Sequence, residues 1–285
     1  VHNKEIKVLP VINLTLFRII QEAYNNTRNG ITVSTFDAET TGTDLTLSNN
    51  VYIENANCYD NIYVDVDYEA TSNATFKNSI CKKSLSASFS NRCNFENIKC
   101  GIFYSQSSNN LNVNNMICRP QGNVGNVFFA SGDNLDIKNV KILDTAKSYK
   151  INTFEVNDTA NNGNIQDILV EKGYNSIIIT GAKKVCNLKA LESSNFRYNI
   201  DGRRIEFPTF YIEDGLLNIY FNRRPGTGWG LDKGTFKKGD KTYRTDQLTE
   251  EGNDGSKYIN LGYVNMVTGA TNSSNWLAMR VLTGN

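Results

Sequence analysis

Apolar and polar residues alternate through the middle of the chain in blocks of eight. Seven blocks align without gaps: VYIENANC (51–58), ATFKNSIC (74–81), CNFENIKC (93–100), LNVNNMIC (111–118), LDIKNVKI (135–142), GNIQDILV (163–170) and KKVCNLKA (183–190). Positions one and three alternate as the inward side of one strand, and positions six and eight as the inward side of a second. Position five reads Asn55, Asn78, Asn97, Asn115, Asn139, Asp167 and Asn187. Asparagine tolerates left-handed backbone angles, so this position is a corner. A strand–corner–strand unit recurring about every twenty residues is the signature of a parallel β-solenoid. Its coils stack about 4.8 Å apart, close enough for a corner amide to bond the next one.

Between the octets lie short β-rich runs, IYVDV (62–66), LSASF (85–89), VFFAS (127–131) and IIITG (177–181), joined to them by loops of variable length. They predict a third strand per coil. Upstream, the segment 13–33 reads as an amphipathic helix over about 14–25, with Leu16, Ile19, Ile20 and Ala23 on one face, followed by a strand. Such a helix would cover the open apolar end of the stack. After Phe207 the pattern changes. Two β-rich runs flank Asp214-Gly215 as a hairpin, and 234–247, 258–269 and 275–282 read as strands of a small β module. The expected organisation is an N-terminal cap (1–48), a β-helix (49–221) and a C-terminal β domain (222–285).

Composition narrows the chemistry. The 285 residues include 41 asparagines, six cysteines and a single histidine, His2, at the start. Histidine-based nucleophilic catalysis and histidine-rich zinc sites therefore have no support, and catalysis would fall to carboxylates, tyrosine, lysine or arginine. A formal charge of +1, without a basic stripe, gives no reason to expect nucleic acid. No apolar run is long enough to span a membrane, and the N-terminus lacks the features of a signal peptide. Cys58, Cys81, Cys100 and Cys118 all occupy inward position eight, and Cys93 occupies inward position one. They read as buried, free thiols filling the core, consistent with folding in a reducing compartment. No metal site or cofactor is expected.

Three strands per coil, an asparagine corner and variable loops resemble the right-handed parallel β-helix of the pectate-lyase type. The helix-then-strand entry, continuing into TDLTLSNNVYIENA (43–56), is similar to that of bacteriophage tailspikes. GTFKKGD, followed by LGYV and a tryptophan, resembles a module found after β-helices in phage tail proteins. The resemblance implies an all-β, homotrimeric tail spike or tail appendage, assembled in the host cytoplasm and acting outside at the host surface. Its partners would be a bacterial cell-wall glycan or teichoic acid and other virion tail proteins. A start so close to the cap implies an anchoring part upstream or on another chain. The calcium-binding aspartates of pectate lyases have no matching motif here.

In such β-helices the groove runs along the strand preceding the octet. Taking Val64 and Val66 as inward points Tyr63, Asp65 and Asp67 outward, and the same alternation points out Tyr104, Gln106, Phe128 and Glu155. Aromatic rings interleaved with carboxylates suit saccharides, and Trp229, among glycines, is a further stacking candidate. Trp276, in an alternating run, reads as core. Asp65 and Asp67, two residues apart on a strand, approach the spacing of an inverting glycosidase pair. Glu155, about four coils away, could act only with a neighbouring subunit's carboxylate. Two readings follow: an adhesin that only binds its polymer, and a depolymerase that cleaves it with Asp65, Asp67 or Glu155. A secreted bacterial polysaccharide lyase relative is a further alternative.

Overall fold

A computed structural model of the chain describes residues 6–8, 22–24, 31–34, 48–49, 51–59, 65–69, 71–120, 126–143, 152–172, 176–192, 197–200, 203–205, 210–220, 235–243, 249–252, 254–270 and 275–283. These residues form an all-β structure whose centre is a parallel β-helix. The seven octets stack in register, Tyr52 on Thr75, then Asn94, Asn112, Asp136, Asn164 and Lys184, each pair parallel. Octet positions one to four make the first face of the stack, and positions six to eight make the second.

All seven corner residues adopt left-handed backbone, with φ between 50° and 59°. The inward positions are buried as the alternation requires. Position three is closed off from Ile53 to Val185, and position six from Ala56 to Leu188. The last octet departs at its start. A register shift places Ala182, not Lys183, beneath Gly163 as the inward residue.

The third face stacks Val66, Leu85, Phe103, Phe128, Phe154 and Ile177 inside the coil. Phe103 and Phe128 approach to 4.9 Å between ring centroids, and Phe128 and Phe154 stack at 4.8 Å. Between the second and third faces the chain bends tightly. At Gly101 a β-carbon would collide with the Lys83 carbonyl oxygen of the preceding coil, so only glycine fits there.

Part of the asparagine excess forms three ladders. At the corner, the Asn97 amide donates to Asn78 Oδ1 (3.0 Å), Asn115 to Asn97 (2.7 Å) and Asn187 to Asp167 (2.8 Å). The rungs at Asn78 and Asn139 donate instead to Glu54 and Asn114. A second ladder, which the octet alignment did not contain, runs just before the octet: Asn110 to Asn91, Asn134 to Asn110 and Asn162 to Asn134. The third joins octet position two, Asn112 to Asn94 and Asn164 to Asp136.

At the N-terminal end, Glu22–Tyr24 is a strand paired parallel with Asn57–Tyr59. This corrects the end of the expected helix: Glu22–Tyr24 extends the second face beneath the first octet. The remainder of the helix reading, 14–21 and 25, lies outside the described residues. At the other end, Phe210–Glu213 and Leu216–Tyr220 form the expected hairpin, with Asp214 and Gly215 both at positive φ. Phe210–Glu213 pairs with the last octet strand and Leu216–Tyr220 with Lys241–Tyr243, so hydrogen bonding is continuous into the C-terminal strands. There Trp276 is buried, edge-on to Phe236 at 5.3 Å. The buried Asp240 carboxylate accepts the Leu217 and Lys237 amides.

Candidate functional site

The outward side of the third face brings several of the sequence candidates into one column. Asp67 pairs with Ser86, Ser86 with Tyr104, Tyr104 with Phe129, Phe129 with Glu155 and Glu155 with Ile178. Tyr104 is 40% exposed, and its ring stacks on Phe129 at 4.9 Å with the planes 18° apart. Its hydroxyl donates to Gln106 Oε1 at 3.0 Å, which ties the ring to the next outward position on its own strand. One rung beyond Phe129, Glu155 Oε2 accepts from the Asn126 amide at 3.0 Å. The result is an aromatic step flanked by an amide on one side and a carboxylate on the other. It can place a sugar ring against a flat apolar surface while polar groups bond its hydroxyls.

Two outward assignments are corrected. Asp65 is fully buried, and its Oδ2 accepts the Lys83 backbone N–H at 2.6 Å. Its own N–H and C=O join the ladders to Ser84 and Ile31. The carboxylate serves the bend before the third face, where the Lys83 amide needs an acceptor. Phe128 is fully buried in the row of rings described above, and the outward ring is its neighbour Phe129. Tyr104, Gln106 and Glu155 do face outward, and Asp67 is half-buried. Asp67 and Glu155 stand four rungs apart, roughly 19 Å. Tyr63 and Trp229 lie outside the described residues.

No protein family, no curated protein and no solved structure matches this chain.

The cysteines supply no chemistry to the column. Cys58, Cys81, Cys100 and Cys118 stack in register inside the second face, all six cysteines are free, and Cys100 and Cys118 approach to 3.6 Å between sulfurs. Burial, ahead of the neighbouring Cys58, pushes the Cys81 thiol well above its ordinary value. For Cys100 the contact with Cys118 comes first and burial second, in the same direction. Such thiols stay protonated and are poor nucleophiles and poor ligands. Among the described residues no group of three or more His, Cys, Asp or Glu side chains is placed to hold a metal ion.

Phe129 and Asn126 escaped the sequence reading. Two adjacent phenylalanines leave the phase of the alternation open, and nothing in VFFAS distinguishes them. The ladder ahead of the octet did have a signal. Reading one residue further back finds asparagine before five of the seven octets, Asn50, Asn73, Asn110, Asn134 and Asn162.

Proposed function

We propose that this chain is a receptor-binding protein of a bacteriophage tail spike or appendage, and that it holds a bacterial surface polysaccharide or teichoic-acid-like polymer on its third face. The observation that carries the reading is the Tyr104–Phe129 stack on the outside of the parallel sheet, with Gln106 bonded to Tyr104 and Glu155 one rung beyond Phe129. A ring pair that packed only as filler would turn inward, as Phe128 does. The same reading supplies the setting: a homotrimer in the virion, assembled in the host cytoplasm and meeting its polymer outside the cell. Binding, rather than cleavage, is the activity favoured by the burial of Asp65, which takes away one half of the Asp65–Asp67 pair.

The test uses purified wall teichoic acid and capsular polysaccharide preparations immobilised as a panel. The parent protein should retain at least one of them without releasing shorter fragments. The Tyr104→Ala/Phe129→Ala double variant should lose that binding by about tenfold or more while keeping its far-UV circular dichroism. A double variant that binds like the parent sinks the reading, as does fragment release that persists in it.

A further inference from the structure

The second face carries a different outward column, at octet position seven. Asn57 pairs with Ile80, Ile80 with Lys99, Lys99 with Ile117, Ile117 with Lys141, Lys141 with Leu169 and Leu169 with Lys189. From Ile80 onward the column alternates aliphatic and cationic for six rungs. Lysines fall on every second rung, about 9.5 Å apart. Along its first half runs a groove of about 360 Å³ whose lining includes Lys82, Lys99, Arg119, Ile80, Ile117 and Leu143. Ile80 is 45% exposed, a large apolar side chain open to solvent at the groove.

We propose that this column binds a linear acidic glycan in which a charged sugar alternates with a neutral one. Three observations converge. The cations are unclaimed: among the described residues the side chains of Lys99, Arg119, Lys141 and Lys189 make no ion pair or hydrogen bond. On the first face of the same coils, by contrast, Lys77 lies 4.0 Å from Glu54 and Lys138 2.7 Å from Asp136. Among the described residues no carboxylate lines the groove. Second, an extended β-linked pyranose chain advances by about the height of one rung per sugar, so a chain laid along the stack meets a lysine at every second ring. Third, the intervening Ile117 and Leu169 offer the neutral sugar an apolar surface for its C–H face. A polymer charged on every unit would leave half of its charges over aliphatic side chains, where desolvation works against binding.

This site is separate from the Tyr104–Phe129 platform and does not depend on it. The experiment measures binding of hyaluronan and chondroitin oligosaccharides, inorganic polyphosphate and dextran to the full chain by calorimetry. The expected result is that at least one acidic disaccharide polymer binds, weakening as salt rises, and that dextran does not. Lys99→Glu/Lys141→Glu should weaken binding by about tenfold or more, and Ile117→Ser by a few-fold. Tyr104→Ala/Phe129→Ala should leave it unchanged. Failure of both acidic glycans to bind overturns the proposal. So does polyphosphate binding as tightly as they do with Ile117→Ser without effect, because the column is then a plain cationic strip. Loss of binding in the Tyr104/Phe129 variant alone moves the ligand to the third face and leaves that reading standing. A lysine variant that changes the sedimentation coefficient rather than glycan binding makes the column a subunit contact, and the proposal falls.

Discussion

The second and third faces are built from the same coils and differ on both sides of the sheet. Inside, the second face places thiols and aliphatic side chains in register with one another, and the third places rings: Cys100 shares a coil with Phe103, and Cys118 one with Phe128. Small residues on one wall leave the volume that the rings of the other wall fill. Outside, the second face alternates cations with aliphatics, whereas the third carries a ring pair between an amide and a carboxylate. A common rung height thus supplies spacing to both faces, and the side chains in each column set the chemistry. The coil fixes geometry and leaves identity free.

The largest effect that separates the two interiors is loss of a ring. Phe128→Ala should cost about 3–5 kcal/mol, read as the shift in urea midpoint. Cys118→Ala in the adjoining wall should cost only about 1 kcal/mol. Equal costs would remove the division of volume between the walls. A smaller effect probes the corner that separates first and second faces. Asn97→Ala loses both the left-handed tolerance and the amide bonds to its neighbours and should cost about 1–3 kcal/mol. Asn97→Gly keeps the backbone and isolates the amides at about 1 kcal/mol. If the two variants are equally stable, backbone strain at the corner contributes nothing.

Smaller again is a dependence on alkaline pH confined to the second-face interior. In the unfolded chain thiols ionise from about pH 8.5, whereas the folded state holds the protons on Cys81 and Cys100 to higher pH. The unfolded state then binds fewer protons, so stability is complete below that point and falls as pH rises through the window. A Cys81→Ala/Cys100→Ala variant should show a shallower decline in urea midpoint between neutral and alkaline buffer than its parent. Parallel declines would mean the thiols are not responsible. Smallest of all is Tyr104→Ala, on the outside of the third face, which should change stability by about 1 kcal/mol or less even where it removes glycan binding.

The octets were legible in the sequence because their length never varies. Eight residues with a fixed corner tie every inward position to Asn55 and its equivalents, so burial at positions three and six, and at position eight from Cys58 to Val170, followed without adjustment. The third face has no such anchor. Loops of different length separate it from the octet, and each run has to be phased from its own residues. FYSQ (103–106) phases itself, with one apolar and one amphipathic residue, and VDVD phases Val66 inward and Asp67 outward, whereas VFFAS does not. The misplaced Phe128 falls in that run, and Asp65 lies in the bend before the strand Val66–Glu69, where alternation no longer applies. Asp65 also obeys a demand invisible in a one-dimensional pattern, an amide of the next coil in need of an acceptor. At the N-terminal end, apolar spacing over 14–25 matched a helix, yet Glu22–Tyr24 is held as a strand by the edge of the next coil. A ready-made edge outweighs a weak local preference.

The side-chain ladders have a polarity that the backbone pairing alone does not display. In every amide bond of the three ladders the NH₂ belongs to the later coil and the oxygen to the earlier one. Each finished coil therefore exposes acceptors on the side where the next will arrive. Asp167 fits this order, since a carboxylate can receive the Asn187 amide but has no hydrogen to offer backward. A chain emerging from the ribosome completes its early coils first. Coils that formed in that order would each meet a row of acceptors already in place, as subunits add to one end of a growing filament.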